Sequence, residues 1–220
     1  MYTLVEKAPA GIATGDILVL AHGAGAPADS SFMSALAFAL AAQGVTTVRF
    51  EFPYMQKRRE DGKKRPPDRQ PVLLDCFSQV IDQVAADAGE GARLFIGGKS
   101  MGGRMATLLA ASDNCPEVVT GVACFGYPFH PPGKPEKVRT DHFDRLRCPL
   151  FIAQGSRDPF GKREECEGSV PGGDKVAIHW LEGGNHDLKP LAKQKLEADA
   201  LIRQAAVEAA GFMAQVAAHG

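Results

Sequence analysis

The chain has 220 residues, a formal charge of −1 and 45% apolar residues. That length and apolar content fit one domain spanning 1–220 with a sizeable core, and the charge balance gives no global attraction to nucleic acid or an anionic membrane. The N-terminal stretch MYTLVEKAPAGIATGD lacks a basic segment followed by a long apolar one, and no apolar run approaches the roughly 20 residues of a membrane span. The five cysteines are irregularly spaced, with no Cys-x-x-Cys and no zinc-site pattern. Free thiols in a cytoplasmic protein, with no metal and no cofactor, are expected.

In chain order, Tyr2–Lys7 is expected as an antiparallel edge strand. Buried strands are predicted at Ile17–Ala21, Thr46–Phe52, Arg93–Gly97, Val119–Phe125, Pro149–Gln154 and Val176–Leu181. Each is short, apolar or β-branched, and bounded by Gly, Pro or polar residues. Helices are predicted at Asp29–Gln43, Pro71–Ala88, Met101–Ala111, Lys162–Glu167 and Leu191–Ala218. Asp29, Ser30 and Ser31 offer N-cap oxygens to the first, and Gly44 closes it. This alternation predicts an α/β fold with a mostly parallel central sheet of about six to seven strands and helices on both faces. Two stretches interrupt it. Residues 56–70, with seven basic and three acidic side chains, read as a solvated loop, or as a rim attracting anionic substrates. Residues 126–146 form a Pro-rich connection.

The chemistry is concentrated in three glycine-rich turns that follow predicted strands. Gly98-Lys99-Ser100-Met101-Gly102 follows an apolar strand and precedes a helix, the placement a nucleophile elbow requires. A serine at such an apex sits in strained backbone, and its neighbours must be almost without side chains. A phosphate-binding loop is the competing reading, but Arg93 stands where its first glycine would be. A serine hydroxyl needs a base, and His186 in Leu181-Glu182-Gly183-Gly184-Asn185-His186-Asp187 follows the last predicted strand. Asp158, just past Pro149–Gln154, is the expected orienting acid, with Asp187, Asp141 and Asp144 as alternatives. The order Ser100, Asp158, His186 is that of the α/β-hydrolase fold. The third turn, His22-Gly23-Ala24-Gly25-Ala26-Pro27, could supply an oxyanion-hole amide from Ala24, with Gly23 and Gly25 as competitors, alongside Met101. His22 is expected to buttress the turn. Tyr54, Met55, Tyr127, Phe129 and Phe160, near strand ends, are candidates to line a substrate pocket, with ordinary packing as the alternative.

The set HGAGAPADS (22–30), GGKSMGGRMA (97–106), YPFHPPGKPEKVRTDHF (127–143), QGSRDPFG (154–161) and GGNHDLKP (183–190) resembles the small cap-less serine α/β-hydrolases related to dienelactone hydrolases. The resemblance spans roughly 15–190 and is closer to a branch that also contains a eukaryotic subunit of a chromatin-modifying complex. It implies an esterase-like fold with no cap domain and Ser100, Asp158 and His186 as triad. Dienelactone hydrolases proper use a cysteine, so that particular lactone cleavage is not implied. The expected activity is hydrolysis of small-molecule esters through an acyl-enzyme by a monomer or weak homo-oligomer. A peptidase or acyltransferase on the same triad, and a non-catalytic interaction module on the same fold, are the competing readings.

Overall fold

A computed structural model describes residues 2–168 and 170–219. Seven strands form one sheet: β1 (Thr3–Glu6), β2 (Asp16–Ala21), β3 (Thr46–Phe50), β4 (Arg93–Lys99), β5 (Val119–Phe125), β6 (Leu150–Gly155) and β7 (Val176–Leu181). Their spatial order is β1-β3-β2-β4-β5-β6-β7, with β1 antiparallel to β3 and every other pair parallel. The helices are α1 (Ser31–Ala41), α2 (Pro53–Asp61), α3 (Gln70–Asp87), α4 (Met101–Ala110), α5 (Arg163–Cys166) and α6 (Ala200–His219).

Strand side chains alternate between faces, and the two cores follow that period of two. Leu18 and Leu20 of β2 pack with Met33, Leu36 and Leu40 of α1 and with Leu201, Ala205 and Met213 of α6. Val19 and Ala21 point the other way, into a core built with Phe77, Val80 and Ile81 of α3 and Met105 and Leu109 of α4. Removing each large apolar side chain from water contributes about 1.5–3 kcal/mol, so each helix layer clamps the sheet from its own side. Neighbouring parallel strands in register end together, gathering the turns after β2, β4, β6 and β7 along one edge.

Among the differences from the sequence expectation, three have a clear physical cause. The strand predicted to Phe52 ends at Phe50, because Phe52 is the N-cap of α2. Half of the supposed solvated loop is helical: Pro53 pre-sets the first turn, Asp68 accepts the Tyr54 N–H at 2.8 Å, and Gly62 (φ 70°) ends the helix. The charges are also partly neutralised, Arg59 forking onto Glu51 and Asp29, and Arg65 onto Asp61. The helix predicted from Leu191 begins only at Ala200. Lys195 takes a left-handed conformation (φ 53°), and the Gln194 side chain bonds the Leu191 N–H and the Glu182 carbonyl, holding this stretch against the loop after β7.

Ser30 stands at the N-cap of α1 but makes no side-chain cap bond. Residues 126–146 contain a single 3-10 turn, Phe143–Arg145, and no cap domain. The five cysteines form no disulfide. Among the described residues, no helix is long and apolar enough to cross a membrane.

Candidate active site

At the carboxyl end of β4 the chain turns sharply into α4, and Ser100 at the apex has φ 51° and ψ −113°. Such backbone costs of order 1–3 kcal/mol in a residue with a Cβ and persists only where its surroundings fix it. Here the fixing is steric. A Cβ on Gly98 would lie 2.6 Å from the Ala21 carbonyl oxygen and from the Gly102 carbonyl carbon, and one on Gly102 would lie 2.4 Å from that Ala21 oxygen. Only glycine lets strand and helix meet this closely. The Ser100 N–H donates to the Phe125 carbonyl at 3.2 Å, and its own carbonyl accepts the Arg104 N–H at 3.0 Å. Met101 opens α4, so its N–H has no carbonyl one turn back to bond.

Three side chains from three turns meet here. Ser100 Oγ lies 3.0 Å from His186 Nε2, and His186 Nδ1 lies 2.8 Å from Asp158 Oδ2. The carboxylate accepts, so Nδ1 carries the proton and Nε2 is free to accept from the hydroxyl. Asp158 is wholly buried. Its Oδ1 accepts the Phe160 N–H at 2.8 Å, and its Oδ2 also accepts from Gln154 Nε2 at 2.9 Å, which satisfies the buried charge. Of the alternative acids, Asp187 is more than half exposed and reaches Lys99 at 3.7 Å, while Asp144 accepts the Gly172 N–H.

The His186 loop is held from several directions. Asn185 Oδ1 accepts the N–H groups of Asp187 and Lys189, and the Phe160 ring covers the imidazole with centroids 4.3 Å apart. Lys99, inside the elbow motif, donates from Nζ to the His186 carbonyl at 2.6 Å. Burial pulls the Lys99 pKa down to about 8, with Asp187 and Asp158 partly opposing.

The turn after β2 is shaped by side chains. Buried His22 bonds the Gly23 carbonyl through Nδ1 (2.7 Å) and the Phe52 N–H through Nε2 (3.2 Å). A carbonyl only accepts and an amide N–H only donates, so His22 is the neutral Nδ1–H tautomer, consistent with burial lowering its pKa. Tyr54 Oη donates to the Ala24 carbonyl at 2.9 Å. Among the described residues, no protein acceptor takes the N–H of Gly23, Ala24 or Gly25.

A cleft of about 310 Å³ opens at this edge, bordered by Ala24, Phe32, Lys99, Ser100, Phe160 and His186. A neighbouring hollow of about 340 Å³ shares Ala26, Ser30, Phe32 and Asp187 with it, extending the groove along α1. A larger hollow, about 520 Å³, lies between the β1/β3 edge and α3, but its valine-rich lining, with Lys7 and Asp87 among its polar residues, includes no serine, cysteine or histidine.

Of the five residues expected to line a substrate pocket, only Phe160 borders the cleft. Tyr54, Met55, Tyr127 and Phe129 are at most 3% exposed and belong to the α3/α4 core. Strand-end position did not reveal which way these side chains turn. The residues missed are Lys99 and Phe32. Lys99 sits within the elbow motif itself, and Phe32 follows the turn after β2 by only a few residues, so chain proximity was the available signal.

A parallel sheet whose carboxyl edge presents a serine on a glycine-packed strand–helix turn, followed in sequence by an acid and then a histidine, defines the α/β-hydrolase class. The chain belongs to that family: the model for the alpha/beta hydrolase domain matches residues 14–214. Its fold is similar to that of a dienelactone hydrolase from Anabaena variabilis, at TM-score 0.70 and 20% identity over 96% of this chain and 90% of that one. It is also similar to Est1E from Butyrivibrio proteoclasticus with ferulic acid bound, at TM-score 0.68 and 16% identity over 99% and 95% of the two chains. A serine hydrolase without lid from Xanthomonas campestris matches at TM-score 0.63 and 17% identity, over 92% and 88%. Family membership supports a hydrolase, and the similar structures share its fold.

Proposed function

We propose that the protein is a serine esterase that cleaves small carboxylic esters through an acyl-enzyme. The reading is carried by the unbroken hydrogen-bond line from Ser100 Oγ through His186 to Asp158, at 3.0 and 2.8 Å. His186 Nε2 takes the hydroxyl proton as Oγ attacks the ester carbonyl. Asp158, buried and bonded to His186 Nδ1, stabilises the imidazolium that forms. The N–H groups of Met101 and Ala24 bond the oxygen of the tetrahedral intermediate, an arrangement whose loss typically costs 10²–10³ in turnover per donor. The imidazolium then protonates the departing alcohol. Water, deprotonated by the same histidine, attacks the acyl-enzyme and releases the acid. The cleft along α1 receives one arm of the ester, with Phe160 and Phe32 as its apolar walls.

Unbridged thiols in all five cysteines fit a reducing cytoplasm. The expected result is turnover of short-chain 4-nitrophenyl esters that is lost in Ser100→Ala and falls by several powers of ten in His186→Ala. Equal activity of Ser100→Ala and the parent protein would overturn the reading. Peptide and thioester substrates run in parallel distinguish an esterase from a peptidase or acyltransferase on the same groups.

A further inference from the structure

Most arginines of this chain have a polar partner, and exposed Arg69 and Arg145, which have none among the described residues, are open to solvent. Arg49 lies within 3.9 Å of Glu6 and donates to Ala28 and Ser34, Arg59 reaches buried Glu51, and Arg93 reaches buried Asp16. Arg157 donates to the Gly183 carbonyl, and Arg65, Arg147, Arg163 and Arg203 each meet a carboxylate. Two part-buried arginines break this pattern. Among the described residues, neither Arg104 nor Arg139 forms a salt bridge or a side-chain hydrogen bond, and Arg104 Nε is buried without an acceptor. Arg49 Nε is buried likewise, but its Nη1 donates to Ala28 and Ser34, whereas Arg104 Nε loses water with no acceptor elsewhere on its guanidinium.

These two residues are brought together by a defined set of bonds. Arg104 stands on α4, one turn (roughly 6 Å of rise) beyond Ser100. Arg139 stands on the 126–146 connection, which is pinned onto α4 at that level. Tyr127 Oη donates to the Arg139 carbonyl at 2.9 Å and lies 3.4 Å from Thr107 Oγ1. Thr107 Oγ1 in turn donates to the Arg104 carbonyl and lies 2.8 Å from His142 Nε2. Burial and the charge of Arg104 both push Arg139 below its ordinary range, so the two like charges sense each other. The tyrosine and the connection belong to the α3/α4 side of the sheet, whereas the cleft by Phe32 and Met33 lies on the α1 side. Ser100 therefore has the cleft on its α1 side and the backbone of Arg104 and Arg139 on its α3/α4 side.

We propose that Arg104 and Arg139 form a subsite for an oxyanion carried by the substrate, so that the preferred ester bears a carboxylate or phosphate several bonds from the scissile carbonyl. Two guanidinium forks converge on one oxyacid group, each through charge-assisted hydrogen bonds, and the ligand supplies the acceptors that the protein withholds. The proposal rests on the esterase reading for its placement beside Ser100.

The test compares mono(4-nitrophenyl) adipate with 4-nitrophenyl heptanoate, a matched pair in which a terminal carboxylate replaces an ethyl group. The ratio of their kcat/KM values divides out any general loss of activity. The parent protein should favour the adipate half-ester. Arg104→Gln and Arg139→Gln should each lower that ratio roughly 10- to 100-fold, the usual worth of a charged hydrogen bond. A parent protein favouring heptanoate, or an unchanged ratio in both variants, overturns the proposal. Arg139→Gln, on the connection, decides the matter should Arg104→Gln fail to fold. Titrating adipate and inorganic phosphate into Ser100→Ala by calorimetry distinguishes the two oxyanions and does not depend on turnover. Binding there that both arginine substitutions abolish, in a protein that cleaves neither ester, would uphold the anion site and refute the esterase. Binding of neither anion, or binding indifferent to the arginines, would refute the site.

Discussion

Two glycine-rich turns stand side by side at the carboxyl ends of β2 and β4, and they are held in shape by opposite means. At the elbow, a Cβ on Gly98, Gly102 or Gly103 would come within 3 Å of backbone. In the turn after β2, a Cβ on Gly25 would meet nothing within 4 Å, and one on Gly23 would make only ordinary contacts of 3.6 to 3.8 Å. That second turn owes its form to His22 and Tyr54, which grip its carbonyls from outside. One turn is defined by side chains that are absent, the other by side chains that are present. The elbow should therefore be intolerant of bulk and, between pH 5 and 7, where Lys99 keeps its proton, indifferent to pH, and its neighbour the reverse.

The largest effect should come from Gly102→Ala, whose methyl would meet the Ala21 oxygen at 2.4 Å. We expect a loss of about 3 kcal/mol or more in urea unfolding, together with loss of ester turnover. Stability within 0.5 kcal/mol of the parent would show that the elbow can spread. Tyr54→Phe comes next: without its bond to the Ala24 carbonyl, turnover should fall about tenfold while stability drops by only about 1 kcal/mol. Equal kcat would mean the turn keeps its shape unaided.

The pH test separates the turns further. His22 is buried in its neutral form and its folded pKa is lowered from 6.5, so the unfolded chain binds the extra proton first. The stability it contributes is full above pH 6.5 and is lost as pH falls below that value. Thermal unfolding across pH 7 to 5 should show this loss in the parent and a shallower one in His22→Gln. Parallel profiles would remove His22 from the account. The smallest effect belongs to Gly25→Ala, expected to change stability by less than about 0.5 kcal/mol, since the added methyl meets open space.

The same contrast explains what was legible in the sequence. Gly98 and Gly102 around Ser100 are a local pattern with a local steric cause, so strand, turn and helix could be read together. The order of Ser100, Asp158 and His186 was readable because each follows a strand whose apolar run is unmistakable. Contacts between distant segments were not readable. Tyr54 looked like a pocket wall, yet its hydroxyl reaches back 30 residues to Ala24. α2 was hidden because its charged residues resemble a loop, and its N–H partner, Asp68, lies beyond the helix end. The false start of the last helix at Leu191 has the same origin: Gln194 is engaged by Glu182, twelve residues earlier.

The most direct measurement is mass mapping of the protein after exposure to a fluorophosphonate, which reacts only with an activated hydroxyl. The account predicts one adduct, on the peptide bearing Ser100, formed rapidly in the parent and suppressed in both His186→Ala and Asp158→Asn. An unlabelled Ser100, or labelling that proceeds equally well without His186, would contradict it.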